Sequence, residues 1–167
     1  MAAHITMPFR FSIPQIAVEL LKSRGNFHRM ADRTARRDAS AMTPAELVAV
    51  LTVNVGNPWT PPGGGLKGAL SHDVIHGLDI TVPLGIRRQV PEERLRIILP
   101  DLGTPERLEY FGVDLWGVQL RADDFDWTLG TGTPVHGSGQ DLLLAICGRR
   151  LPPGRLTGAG SERLTAG

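Results

Sequence analysis

The sequence predicts an α+β protein, with a helical region over residues 1–102 and a small mixed region over residues 103–167. Three observations carry the prediction. Helix-start signals recur in the first region, at Ser12, Asn26 and Thr43, residue types whose side chains accept from the orphan N–H groups of a first turn. The stretch from Leu70 to Ile80 sets Val74, Ile75 and Leu78 at helical spacing. After Gly112 the period becomes two. Val118, Leu120 and Ala122 alternate with Gln119 and Arg121, and Phe125, Trp127 and Leu129 alternate again beyond an Asp123-Asp124 turn. That pattern reads as an antiparallel hairpin.

Taken in order, His4 and Ile5 read as the end of a helix. Residues 13–23 form the next, with Ser12 as cap, Pro14 in the first turn, Ile16, Val18, Leu20 and Leu21 as apolar positions, and Gly25 as the stop. Asn26 caps a helix whose apolar positions are Phe27 and Met30. Its Arg29, Arg33, Arg36 and Arg37 fall largely on one side. Such a stripe either meets phosphates and carboxylates or is a solvated face balanced by acidic neighbours, here Asp32 and Asp38. Thr43-Pro44-Ala45-Glu46 is a capping box ahead of Leu47, Val50 and Leu51. A Pro- and Gly-rich loop over 57–65, holding Trp59, leads into the Leu70–Ile80 helix, which Pro83 and Gly85 stop.

Pro91 begins a short helix expected to end near Pro100. Beyond the hairpin, Gly130, Gly132 and Pro134 turn the chain, and Val135-His136-Gly137 adds a short strand. A helix over 139–150 turns Leu142, Leu143 and Ile146 inward and ends at Pro152-Pro153. The glycine-rich tail, 156–167, is expected to be partly mobile. Gly130-Thr131-Gly132 and Gly137-Ser138-Gly139 lack a full phosphate-loop or dinucleotide pattern and read as turns.

The net charge of +1 gives no global field to draw nucleic acid or an anionic membrane. No apolar run approaches the ~20 residues of a membrane span, and no signal peptide is visible, so the expected location is cytoplasmic. The single cysteine, Cys147, excludes an internal disulfide. It lies in an apolar run, as a small buried hydrophobe or, alternatively, a reactive thiol.

His72 and His76 are four residues apart, which on a helix stacks two imidazoles on one face. The pair can hold a divalent metal, or it can be two histidines with no metal. His4 is the candidate third ligand. Asp79 shares the face, and either orients a ligand's second ring nitrogen or pairs locally.

The N-terminal Ala3-His4-Ile5, the run His72-Asp73-Val74-Ile75-His76-Gly77-Leu78-Asp79-Ile80 and the following Pro83-Leu84-Gly85 resemble the mycothiol-dependent maleylpyruvate isomerase family of actinobacteria. So do Val118-Gln119-Leu120-Arg121-Ala122, Asp126-Trp127, Gly137 and Leu144-Ala145-Ile146-Cys147-Gly148-Arg149. The resemblance implies a DinB-like helical bundle followed by a small C-terminal domain. It implies a divalent metal, zinc, held by His4, His72 and His76, although some members carry Glu at the position of His72. Mycothiol is the implied thiol cosubstrate, and a small molecule with an activated cis double bond is the implied substrate. Thiolate adds to the double bond, the resulting single bond rotates, and elimination returns the trans isomer; a related thiol transfer is the neighbouring chemistry. Arg149 is the implied catalytic arginine, with Arg150 as the alternative, in a role that grips a substrate carboxylate. The family carries a first helix before the position of His4 that has no counterpart here. That departure is expected from a start placed too late or from a shortened product, and a shortened product would be a non-catalytic metal-binding or structural protein.

Overall fold

The helix starts expected at Ser12, Asn26 and Thr43, where a side chain can satisfy first-turn N–H groups, recur in the computed structural model, which describes residues 1–166. The chain divides into two compact units, Met1–Gly65 and Leu66–Gly167.

The first unit is helical: α1 (Ala2–Ile5), α2 (Met7–Arg10), α3 (Ile13–Lys22), α4 (Phe27–Ala41) and α5 (Pro44–Val53). α1 and α2 are separated at Thr6, where Pro8 has no N–H to offer the carbonyl of His4. Thr6 is buried, and its hydroxyl donates back to Ala2 O and Ala3 O. Ser12 and Gln15 form a capping box on α3, as Thr43 and Glu46 do on α5, and Asn26 accepts from Arg29 N at the start of α4. The face that α3 buries is only partly the expected one: Ile16 and Leu20 are half-buried, but Val18 and Leu21 are exposed and Glu19 is buried. The cause is charge pairing, because Glu19 receives Lys22, Arg33 and Arg37. Likewise Phe27 of α4 is exposed while Met30 is buried.

The second unit contains α6 (Gly65–Thr81), α7 (Glu92–Leu102), α8 (Pro105–Phe111), β1 (Val118–Ala122), β2 (Thr128–Gly130), β3 (Thr133–Gly137) and α9 (Gly139–Ile146). Its core gathers Val74 and Leu78 of α6, Leu95, Ile98 and Leu99 of α7, Leu120, Val135, and Leu142, Leu143 and Ile146 of α9. Because α7 packs on α9, it belongs with the sheet, and the division falls at Gly65/Leu66 rather than at the expected 102/103. α7 also runs through Pro100 to Leu102, whose burial holds the last turn in place.

The strand order is β2-β1-β3. β1 and β2 form the expected antiparallel hairpin, with Leu120 opposite Leu129, while β3 runs parallel to β1, with Leu120 opposite Val135. Only Thr131 and Gly132 separate β2 from β3, so the chain crosses the start of β1 at close range. A Cβ on Gly132 would stand 2.3 Å from the Gly117 backbone, and both Gly130 and Gly132 have positive φ. The glycine pair is thus a crossing turn and not a phosphate loop.

Two expectations are corrected here. The helix expected over 139–150 ends at Ile146, because Gly148 takes φ 76° and Arg149 N–H returns to Leu144 O. This is a glycine-terminated helix end in which two turn N–H groups satisfy the last carbonyls. The tail expected to be mobile is packed as far as it is described. Leu156 and Leu164 are buried, Leu151 bridges to Thr165, His136 bridges to Thr157, and Arg163 donates to Trp116 O. Among the described residues, no helix is long and apolar enough to cross a membrane.

Candidate metal centre

α6 buries Val74, Ile75 and Leu78 in the core of its unit, which leaves His72, His76 and Asp79 half-buried on the adjoining face. The two imidazole rings meet edge to face, with centroids 4.7 Å apart. His4, on α1 of the first unit, is also half-buried. Neutral imidazoles suit a borderline-soft divalent cation such as zinc.

Each helical imidazole has a carboxylate at Nδ1. His76 Nδ1 is 2.9 Å from Asp79 Oδ2, and His72 Nδ1 is 3.2 Å from Asp73 Oδ1. An ionised carboxylate only accepts, so each Nδ1 is the N–H donor and each Nε2 carries the lone pair in the neutral ring. The two supports differ in quality. Asp73 is exposed, whereas Asp79 is largely buried and clamped by an arginine. Arg149 Nε donates to Asp79 Oδ1 at 3.0 Å and Nη2 to Oδ2 at 2.8 Å, while Nη1 donates to Cys147 O at 2.6 Å.

Burial pushes the Asp79 carboxyl up, but hydrogen bonds from His76 and Arg149 outweigh it and hold the group at about 2. Burial likewise works against the charge of Arg149, and Asp79 overcomes it, keeping the guanidinium above its ordinary value. The Cys147 thiol is pushed up to about 12, mainly by burial. Cys147 is therefore the small buried hydrophobe of the two readings, and no nucleophile at neutral pH.

Among the residues singled out from sequence, His72 and His76 come together on α6. Arg149 is brought to Asp79 by the Gly148 turn, across 70 residues of chain, a pairing that no local pattern announces. Arg150 instead donates to Arg163 O. Three of the four α4 arginines find carboxylates: Arg36 pairs with Asp32, Arg33 with Glu19, and Arg37 with Asp38 and Glu19. Ser138, within the second glycine run, accepts from Asp141 N and caps α9. Comparison of the chain with protein-family models, curated proteins and solved structures yields no match.

Proposed function

We propose that this chain is a mycothiol-dependent metalloenzyme of the maleylpyruvate isomerase type, a cis–trans isomerase or a related thiol transferase, acting in the cytoplasm. The observation that supports it is the His72/His76 pair on one face of α6, its rings 4.7 Å apart, with His76 oriented by Asp79. His4, His72 and His76 would hold a divalent cation, zinc by their donor chemistry. When bound, such a cation favours the thiolate form of a thiol at neutral pH.

The remaining roles belong to the chain itself. Asp79 keeps the proton of His76 on Nδ1, which directs the Nε2 lone pair outward. Arg149 keeps Asp79 ionised and fixed. Cys147 is buried and protonated, so the nucleophilic sulfur comes from an added low-molecular-weight thiol. A substrate carboxylate would compete with Asp79 for the Arg149 fork, and this engagement favours a second reading, a non-catalytic metal-binding protein.

Zinc titration of the chelator-stripped chain separates these readings. One zinc per chain is expected. His76→Ala should abolish stoichiometric binding, and Asp79→Asn should weaken it by about 10–100-fold. Unchanged stoichiometry in His76→Ala refutes the centre. Zinc binding together with thiol-dependent isomerisation of a cis-2-enoic acid, retained in Cys147→Ser, supports the enzyme; zinc binding with no such turnover supports the second reading.

A further inference from the structure

Half-buried arginines in this chain are matched by carboxylates. Arg10 grips Asp38, Arg33 grips Glu19, Arg149 grips Asp79 and Arg155 grips Asp141. Arg88 is also half-buried, yet no carboxylate among the described residues pairs with it, nor with its exposed neighbour Arg87. Both line a cavity of about 420 Å³ in the second unit, with Arg155, Gln89, Gln140 and Thr81 also in its wall.

This wall is fixed on several sides. Gln140 of α9 accepts from Val90 N at 3.0 Å and donates to Arg88 O at 3.1 Å, which ties the backbone around Arg88 to the helix. Arg155 is held by Asp141, whose carboxylate also accepts from Ser138 Oγ. The tip of Arg88 rests against α6 where Gly77 leaves room, its Nη1 standing only 1.7 Å from where a Cβ would be. Of the three guanidinium groups, only Arg155 is neutralised by a carboxylate among the described residues. A partly desolvated guanidinium without an anion is unfavourable, and its planar fork matches the paired oxygens of a carboxylate or phosphate. The volume lies within the range of small-molecule pockets, ~300–1,000 Å³, and so exceeds what a bare ion needs.

We propose that this cavity binds a small organic molecule through an anionic oxyacid group held by Arg88 and Arg87. The inference stands apart from the metal centre and is tested on the metal-free chain. Calorimetric titration at low ionic strength would use succinate, inorganic phosphate and the neutral analogue succinamide. Saturable one-to-one binding of succinate or phosphate, but not succinamide, is expected. Preference for succinate assigns a carboxylic acid, and preference for phosphate a phosphate ester. Arg88→Gln should weaken binding by about tenfold or more, Arg87→Gln by less, and Arg107→Gln not at all. Gly77→Ala adds a Cβ where the Arg88 tip lies, so it should weaken binding while its circular dichroism stays that of the parent chain. Absence of saturable binding of both anions, equal binding of succinamide, or undiminished binding in Arg88→Gln would overturn the proposal.

Discussion

Leu66–Gly167 buries a continuous cluster of aliphatic side chains drawn from α6, α7, α9 and the sheet, with Asp141 among its few buried polar groups. Met1–Gly65 buries Met7, Met30 and Leu47 beside Thr6, Glu19, Thr34 and Asp38, while Ile13, Leu21, Val53 and Val55 are exposed. In the second unit, apolar periodicity sorts inside from outside along α7, α9 and β1, whose apolar positions meet in one core. In the first, the carboxylates Glu19 and Asp38 and their arginines decide which faces turn inward. Hydrophobic pattern is therefore a reliable guide to burial only where the ionic partners do not outrank it.

The contrast can be broken most directly by truncating one aliphatic side chain in each unit. Leu142→Ala removes a fully buried group and should cost ~2–5 kcal/mol in urea unfolding. Leu21→Ala should change stability by less than ~0.5 kcal/mol, because its side chain is exposed. A similar loss at both positions would show that the exposed face of α3 is covered in solution. Next in size is the ionic side of the comparison. Asp38 accepts from Arg10 at 2.6 Å and from Arg37 at 3.0 Å with little exposure, so Asp38→Ala should cost about 2–3 kcal/mol. Asp32→Ala, which breaks the exposed pair with Arg36, should cost under ~0.5 kcal/mol. Equal losses would mean that burial does not set the strength of these pairs. The smallest effect concerns Cys147. Its thiol, raised to about 12, should resist iodoacetamide at pH 8 in the folded chain and react once urea unfolds it. Rapid alkylation of the native protein would show that the end of α9 opens.

Much of this architecture is legible locally. The caps at Ser12, Asn26 and Thr43 and the alternation of Val118 to Ala122 each act within a few residues, and each is found. Thr104-Pro105 carries the same helix-start chemistry as Thr43-Pro44, and α8 begins there. Gly148, inside the span expected to be helical, is likewise a local stop signal. The His72/His76 spacing shows on its face, but the clamp on Asp79 does not, because Arg149 is 70 residues away and only the fold selects it. The parallel pairing of β3 is hidden for a similar reason. Val135-His136-Gly137 shows that a strand is present, and the crossing at Gly132 decides which edge of β1 it joins.

That crossing has a kinetic consequence. Every β3 residue lies fifteen positions beyond its β1 partner, from Val118 and Thr133 to Ala122 and Gly137, and the β2 partners lie between them in sequence. The central strand thus finds both neighbours within one short segment, so closing this sheet forfeits little loop entropy even though it contains a parallel pair. Contacts so near in sequence are those that form quickly in small domains. The segment from Gly117 to Gly137 is a self-contained zipper, and the helices of its unit add their aliphatic faces to a sheet whose register the glycines have already set.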